Sequence, residues 1–271
     1  MIIFFRNIRN FIKVLFTHPL NYKRIPISES LTLRILGNGS SLNDSLIYDS
    51  DSNVEYAVVN RHVLADNYCE IRPKYYILTD SHFFQHPEGL AILDQIMKKT
   101  KWEMYIFLPI TKGTREIAKK TSSCPNIKFV FYNKTRIDQS FFLSNFCYKY
   151  QLGMPVPQNV IVAAIMLGIA MNYKTIELYG VEHSWLSSLY VGEDNLVYLR
   201  NSHFYDKEPV KPKPQREIQH LDEYPLYQNL LDYARMFQSY WEIKTFLEQS
   251  NTNIRVINKT PNSFIDAFER G

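Results

Sequence analysis

Apolar residues along this chain come in short runs separated by longer segments of helical period. Residues 31–36, 56–59, 75–78, 104–108, 127–131, 175–178 and 254–257 are runs rich in β-branched, aromatic and other apolar residues, the mark of buried strands, and several end at a polar residue or glycine. Between them, residues 90–100, 114–120 and 158–171 read as helices, the last apolar on most sides and therefore buried. Strands alternating with helices predict a mostly parallel α/β sheet whose ligands bind beyond the carboxyl ends of the strands. Polar residues directly after strands, Asn60 and Thr79 among them, then mark one rim.

Residues 183–225 break the pattern, mixing Trp185, Tyr190, Tyr198, His203 and Tyr205 with a proline-rich stretch. A long connection with this ring content reads as a lid. Residues 226–249 return to a helix with Tyr227, Leu230, Leu231, Ala234, Phe237 and Trp241 on its expected apolar stripe. At the other end, residues 2–16 are apolar but carry Arg6, Arg9 and Lys13 three or four apart. Such a stretch is too short and too charged to span a bilayer, and the charges inside the run argue against a secretory signal. It predicts a basic amphipathic helix, lying on an anionic membrane or docked on the domain or a partner.

Composition adds limits. The 271 residues are 45% hydrophobic and 21% charged, which excludes disorder, collagen and coiled coil. The net charge of +4 is a property of residues 1–28, which hold five basic residues and no acid, so the body offers no basic face for nucleic acid. Cys69, Cys124 and Cys147 lie far apart without zinc-ligand spacing, which fits a reduced compartment.

Four features carry candidate chemistry. Gly37-Asn38-Gly39-Ser40-Ser41 follows a strand and could bring backbone N–H groups to a phosphate, yet it lacks the third glycine of a dinucleotide fingerprint and the lysine of a P-loop, so a plain tight turn is an equal reading. Asp49-Ser50-Asp51 resembles a metal-holding Asp-x-Asp pair but sits among turn-forming residues, and no metal is expected there. His203 could take a proton from a sugar hydroxyl, in competition with six other histidines. Tyr190 could donate its hydroxyl to a leaving phosphate.

The order of these pieces resembles the bacterial sialyltransferases of glycosyltransferase family 42, which act on lipooligosaccharides. Gly37 to Leu42 is similar to the family's Gly-Asn-Gly-Pro-Ser-Leu, Val59-Asn60 to its Cys-Asn, and Thr79-Asp80-Ser81-His82-Phe83-Phe84 to its Asn-Pro-Ser-x-Phe-Phe. Further on, Asn172 to Glu182 looks like Gly-Tyr-Lys-Glu-Ile-Tyr-Leu-x-Gly-Ile-Asp, Asn201-Ser202-His203-Phe204 like Asn-Ser-His-Tyr, and Thr260-Pro261-Asn262-Ser263 like Cys-Pro-Asn-Ser. The resemblance implies a single Rossmann-like domain, a GT-A-like variant, over residues 29–271 with the lid at about 183–225 inside it, which leaves residues 1–28 as the basic amphipathic N-terminal segment.

It also implies inverting transfer of an acidic, sialic acid-like sugar from CMP to a bacterial surface glycan, with no metal or other cofactor. The nucleotide-binding residues would be Gly37, Asn38, Gly39, Ser40, Asn60, Thr79, Gln158, Asn159, Gly180 and Ser184. His203 would be the base, and Tyr190 with N–H groups of the glycine loop would receive the charge on CMP. The chain departs from the family where Thr79 replaces an asparagine, Asn159-Val160 a Thr-Ser, and Ser184 one of two tyrosines, while Lys207 lies near the position of the family's general base. The expected partners are a nucleotide-sugar donor, a glycan or lipid-linked acceptor, a peripheral membrane surface and, as one option, a second copy, with a cytoplasmic or inner-face location and no nucleic acid. Two other readings stand beside this one. One is a pterin-type pyrophosphokinase using ATP and Mg²⁺; the other is a catalytically degenerate, membrane-associated partner protein.

Overall fold

The computed structural model describes residues 2–17, 25–45, 53–120, 124–200, 203–206 and 208–271. Seven of its strands match the seven apolar runs: β1 (Thr32–Leu36), β2 (Val54–Val59), β3 (Tyr75–Ile77), β4 (Met104–Pro109), β5 (Ile127–Tyr132), β6 (Thr175–Tyr179) and, numbered in chain order, β10 (Arg255–Asn258). With the two-residue β11 (Glu269–Arg270) they form one sheet in the order β11-β10-β6-β1-β2-β3-β4-β5, every pairing parallel. The α/β expectation holds.

Both faces of this sheet are covered, which is why its strands read as apolar runs rather than as alternations. On one face Leu33, Ile35, Ala57, Val59, Tyr75 and Phe107 pack against α8 (Val160–Ala170) and α10 (Leu226–Gln249). On the other, Leu36, Val58, Tyr76, Leu78 and Ile106 meet α5 (Pro87–Lys99) and the short α3 (Tyr68–Ile71). The remaining helices are α1 (Ile2–Thr17), α2 (Leu42–Ser45), α4 (His82–Gln85), α6 (Lys112–Lys120), α7 (Ser144–Lys149) and α9 (Gln215–Gln219). The chain builds from β1 outward to β5, then crosses back so that β6 pairs with the other edge of β1. Beyond β1 the chain continues toward β2 and beyond β6 toward β10, on opposite sides of the pair, and such a switch point is where doubly wound sheets bind ligands.

The structure bears on three expectations. The connection at 183–225 is not structureless: it holds an antiparallel sheet of β7 (Leu189–Val191), β8 (Val197–Leu199) and β9 (Lys213–Pro214), followed by α9. The stripe expected on α10 is largely turned outward, with Tyr227, Leu230, Leu231 and Trp241 exposed. Met236, Tyr240, Ile243 and Phe246 form the buried face, because contact with α7 and α8 selects among several apolar rows. Helix α1 is docked on the domain: Val14 and Asn7 are buried, Arg6 reaches the buried Asp138 at 2.8 Å, and Asn10 Nδ2 donates to the Arg136 carbonyl.

Candidate active site at the β1–β6 switch point

A cavity of about 790 Å³ opens at the carboxyl ends of the strands. The glycine loop after β1 forms its floor and is interlocked with the loop after β6. Gly37 N donates to the Tyr179 carbonyl at 2.8 Å and Gly39 N to the Gly180 carbonyl at 2.9 Å. A Cβ on Gly37 would lie 2.2 Å from the Gly180 oxygen, so the two loops approach as closely as they do only because that position is glycine. At Gly39 the space a side chain would fill is taken by the Glu182 carboxylate, which accepts from Ser41 N at 2.6 Å.

This corrects the mechanism expected from the resemblance. The N–H groups of Gly37, Gly39 and Ser41 are spent on the loop's own framework, with a carboxylate already seated at the start of α2. Asn38 and Ser40 are the loop residues whose N–H groups are not used in this way.

Asn38 and Asn60 converge on the cavity from β1 and β2. The Asn38 side-chain amide donates to the Val59 carbonyl at 3.2 Å, which leaves its Oδ1 buried and without a partner among the described residues. Asn60 sits at φ 53°, a left-handed conformation that asparagine tolerates, and its backbone carbonyl accepts from the Tyr76 hydroxyl at 2.7 Å. Its Oδ1 is likewise buried and unpartnered among the described residues. Two buried carbonyl oxygens lacking donors are costly unless a ligand supplies N–H or O–H groups.

Thr79, at the end of β3, lines the same cavity but has its proton engaged: Tyr132 OH donates to the Leu78 carbonyl, so the 2.8 Å contact has Thr79 Oγ1 donating to Tyr132. On the opposite wall, Asn159 caps α8, its Oδ1 accepting from Ile161 N at 2.8 Å. Gln158 lies beside it, and the positive end of α8 thus faces the cavity. Gly180 and Ser184 line the β6 side.

His203 reaches the cavity because its neighbour Phe204 is pinned. Phe204 N donates to the Asn38 carbonyl and its own carbonyl accepts from Asn43 Nδ2, both at 3.2 Å, while its ring packs, tilted by 39°, against the buried His62 with centroids 5.0 Å apart. Asp206 Oδ2 accepts from His203 N at 2.7 Å and stands 3.6 Å from the ring Nδ1; the imidazole stacks on Tyr205. Burial pushes the His203 pKa below its ordinary value of 6.5 against the pull of Asp206, with Arg61 helping to lower it, so the ring is neutral at pH 7. A neutral imidazole at a cavity wall can accept a proton.

Tyr190 is not brought to this site. It pairs with Tyr198 across β7 and β8, the rings stacked at 5.4 Å on the solvent face of the hairpin, and it is 48% exposed. Strand alternation turns it away from the cavity. Asp49, Asp51 and Lys207 lie outside the described residues.

A scan against protein-family models matches none, and a search of curated proteins returns no match. Among solved structures, the chain is similar to the sialyltransferase CstII from Campylobacter jejuni in complex with cytidine-5'-monophosphate, at 16% identity and TM-score 0.46 over 90% of this chain and 85% of that one. It is similar to the monofunctional alpha-2,3-sialyltransferase Cst-I from Campylobacter jejuni at 15% identity and TM-score 0.48, covering 90% and 81%. A CST-II complex with a trisaccharide acceptor and CMP matches at 16% identity and TM-score 0.44, covering 88% and 85%.

The cavity also contains residues that motif reading passed over. Lys134 stands just beyond β5, its ammonium donating to the Thr79 carbonyl at 2.9 Å, and burial pushes its pKa down while Asp80 opposes the shift. Arg200 follows β8 on the lid side. The rule that polar residues after strands mark the rim points to Lys134, two residues past β5, but not to Arg200, since no strand was legible before it. His183 and Trp185, stacked at 4.5 Å, form an aromatic wall continued by Tyr233. His183 shares a 2.6 Å hydrogen bond with Tyr240, and burial pushes its pKa down to about 3, so it too is neutral.

Proposed function

We propose that the chain is a glycosyltransferase that moves an acidic, sialic acid-like sugar from a CMP donor to a glycan acceptor with inversion and without a metal. The carrying observation is the pair of buried, unpartnered oxygens, Asn38 Oδ1 and Asn60 Oδ1, at the switch point of the sheet. Ribose hydroxyls and the exocyclic amine of cytosine are donors of the kind these acceptors lack. The family resemblance through Gly37-Asn38-Gly39, Asn60 and His203 supports the same reading.

In this mechanism the acceptor hydroxyl oxygen attacks the anomeric carbon of the donor sugar from the face opposite the phosphate. Its proton passes to His203, held by the Phe204 contacts and by Asp206. The bond from the anomeric carbon to the phosphate oxygen breaks, and CMP departs with the electron pair. The charge that Tyr190 was expected to meet falls instead to Lys134, Arg200 and the N-terminus of α8, the positive features lining the cavity. A positioned donor of this kind is worth roughly 10² to 10³ in rate.

The test is turnover. Incubated with CMP-linked sialic acid and an oligosaccharide acceptor, the protein should release CMP in step with glycosylated product, at the same rate with EDTA present. If CMP release does not occur, or if the chain instead forms AMP from ATP with a pterin and Mg²⁺, the transferase reading is wrong.

A further inference from the structure

Helix α1 meets the domain with one face and remains apolar on the other. Asn7, Phe11 and Val14, at i, i+4 and i+7, turn inward. Phe5, Arg9, Ile12 and Phe16 form the opposite stripe with Lys13 beside it, and Phe5, Ile12 and Phe16 are 61%, 47% and 84% exposed. A helix docked by one face is expected to be polar on the other. A second segment, remote in sequence, lies against the flank of the helix: Phe141 packs against Phe4 and Phe11 at 6.4 and 6.2 Å, and its neighbour Phe142 is 75% exposed. The helix contains no acidic residue.

We propose that this face, built from α1 and Phe142, docks the protein on an anionic lipid bilayer. Phe5, Phe16 and Phe142 would enter the headgroup–acyl boundary, with Arg9 and Lys13 against lipid phosphates and their stems lying along the apolar surface. Cations interleaved with large apolar side chains, and no acid, are complementary to that surface. The helix lies on the bilayer rather than crossing it: among the described residues no helix is long and apolar enough to span. The anchor of α1, Arg136 to Asp138, follows the cavity-lining Lys134 directly along the chain, so docking would hold the cavity beside the membrane.

Vesicle sedimentation with the full chain tests it. Vesicles of phosphatidylcholine with about one-third phosphatidylglycerol should bind the protein roughly tenfold or more better than phosphatidylcholine alone, and less well in high salt. The variant Phe5→Ser/Phe16→Ser/Phe142→Ser should weaken that binding by roughly a hundredfold, and Arg9→Glu/Lys13→Glu should remove the preference for anionic lipid. Because Phe5, Phe16 and Phe142 are exposed, circular dichroism and the melting temperature of the triple variant should be unchanged. No binding of the natural protein to the anionic vesicles, or equal binding by the triple variant, would overturn the assignment. So would self-association abolished by the triple substitution in a protein that ignores vesicles, which would make the face a protein interface.

Discussion

His203→Gln should lower the rate of sugar transfer by about 10² to 10⁴, the usual contribution of a positioned general base, while leaving CMP affinity unchanged. The pH profile separates this role from a structural one. Burial lowers the His203 pKa from 6.5, and the neutral ring is the active form, so the rate should rise as pH climbs through a value below 6.5 and then level off. Asp206 pulls that pKa upward, so Asp206→Asn should move the rising limb to lower pH. His203→Gln should lose the limb altogether. A rate within threefold of the natural protein, or an unchanged profile, would remove His203 from the mechanism.

Gly37→Ala should destabilise the fold by on the order of 3 kcal/mol and abolish nucleotide binding. Its Cβ would meet the Gly180 oxygen at 2.2 Å, and because the obstruction is backbone, no side chain can swing aside. The β1 and β6 loops would have to separate, carrying Asn38 with them. Gly113→Ala is the control: nothing lies within 4 Å of its Cβ on α6, and it should be neutral or stabilising by up to about 1 kcal/mol. Urea unfolding at pH 7.5 is the appropriate measurement. His62 and His183 have folded pKa values of about 3, pushed down by burial, against about 6.5 in the unfolded chain. The unfolded state therefore binds more protons between those values, and their part in stability, full above pH 6.5, is lost as pH falls toward 3.

The fold was largely legible because a parallel sheet covered on both faces writes its strands as apolar runs, and β1 to β6 with β10 fall where those runs lie. Edge strand β11 has two residues and left no pattern. Periodicity could show that α10 is a helix, but its apolar residues occupy several rows, and only its neighbours decide which row is buried. Within the site, Asn38, Asn60, Thr79 and Asn159 were readable from their places after strands or before a helix. The partners that Asn38, Thr79 and Asn159 spend on the protein were not, because Val59 and Ile161 meet them with backbone groups and the Tyr132 hydroxyl reaches Thr79 from another strand. The glycine loop shows the same limit: spacing suggests a phosphate cradle, whereas packing gives the N–H groups of Gly37, Gly39 and Ser41 to Tyr179, Gly180 and Glu182. Tyr190 was placed by resemblance to a motif, and the pairing of β7 with β8 carries it outward.

Calorimetric titration of CMP, against UDP and GDP as controls, into the natural protein and into Asn38→Ala and Asn60→Gly bears most directly on the central claim. Glycine at position 60 keeps the left-handed backbone free of strain while deleting the oxygen. CMP should bind at least about tenfold more tightly than UDP or GDP, and each substitution should weaken it by about tenfold, the worth of one good buried hydrogen bond. CMP binding no tighter than the controls, or affinity unchanged in both variants, would contradict the account.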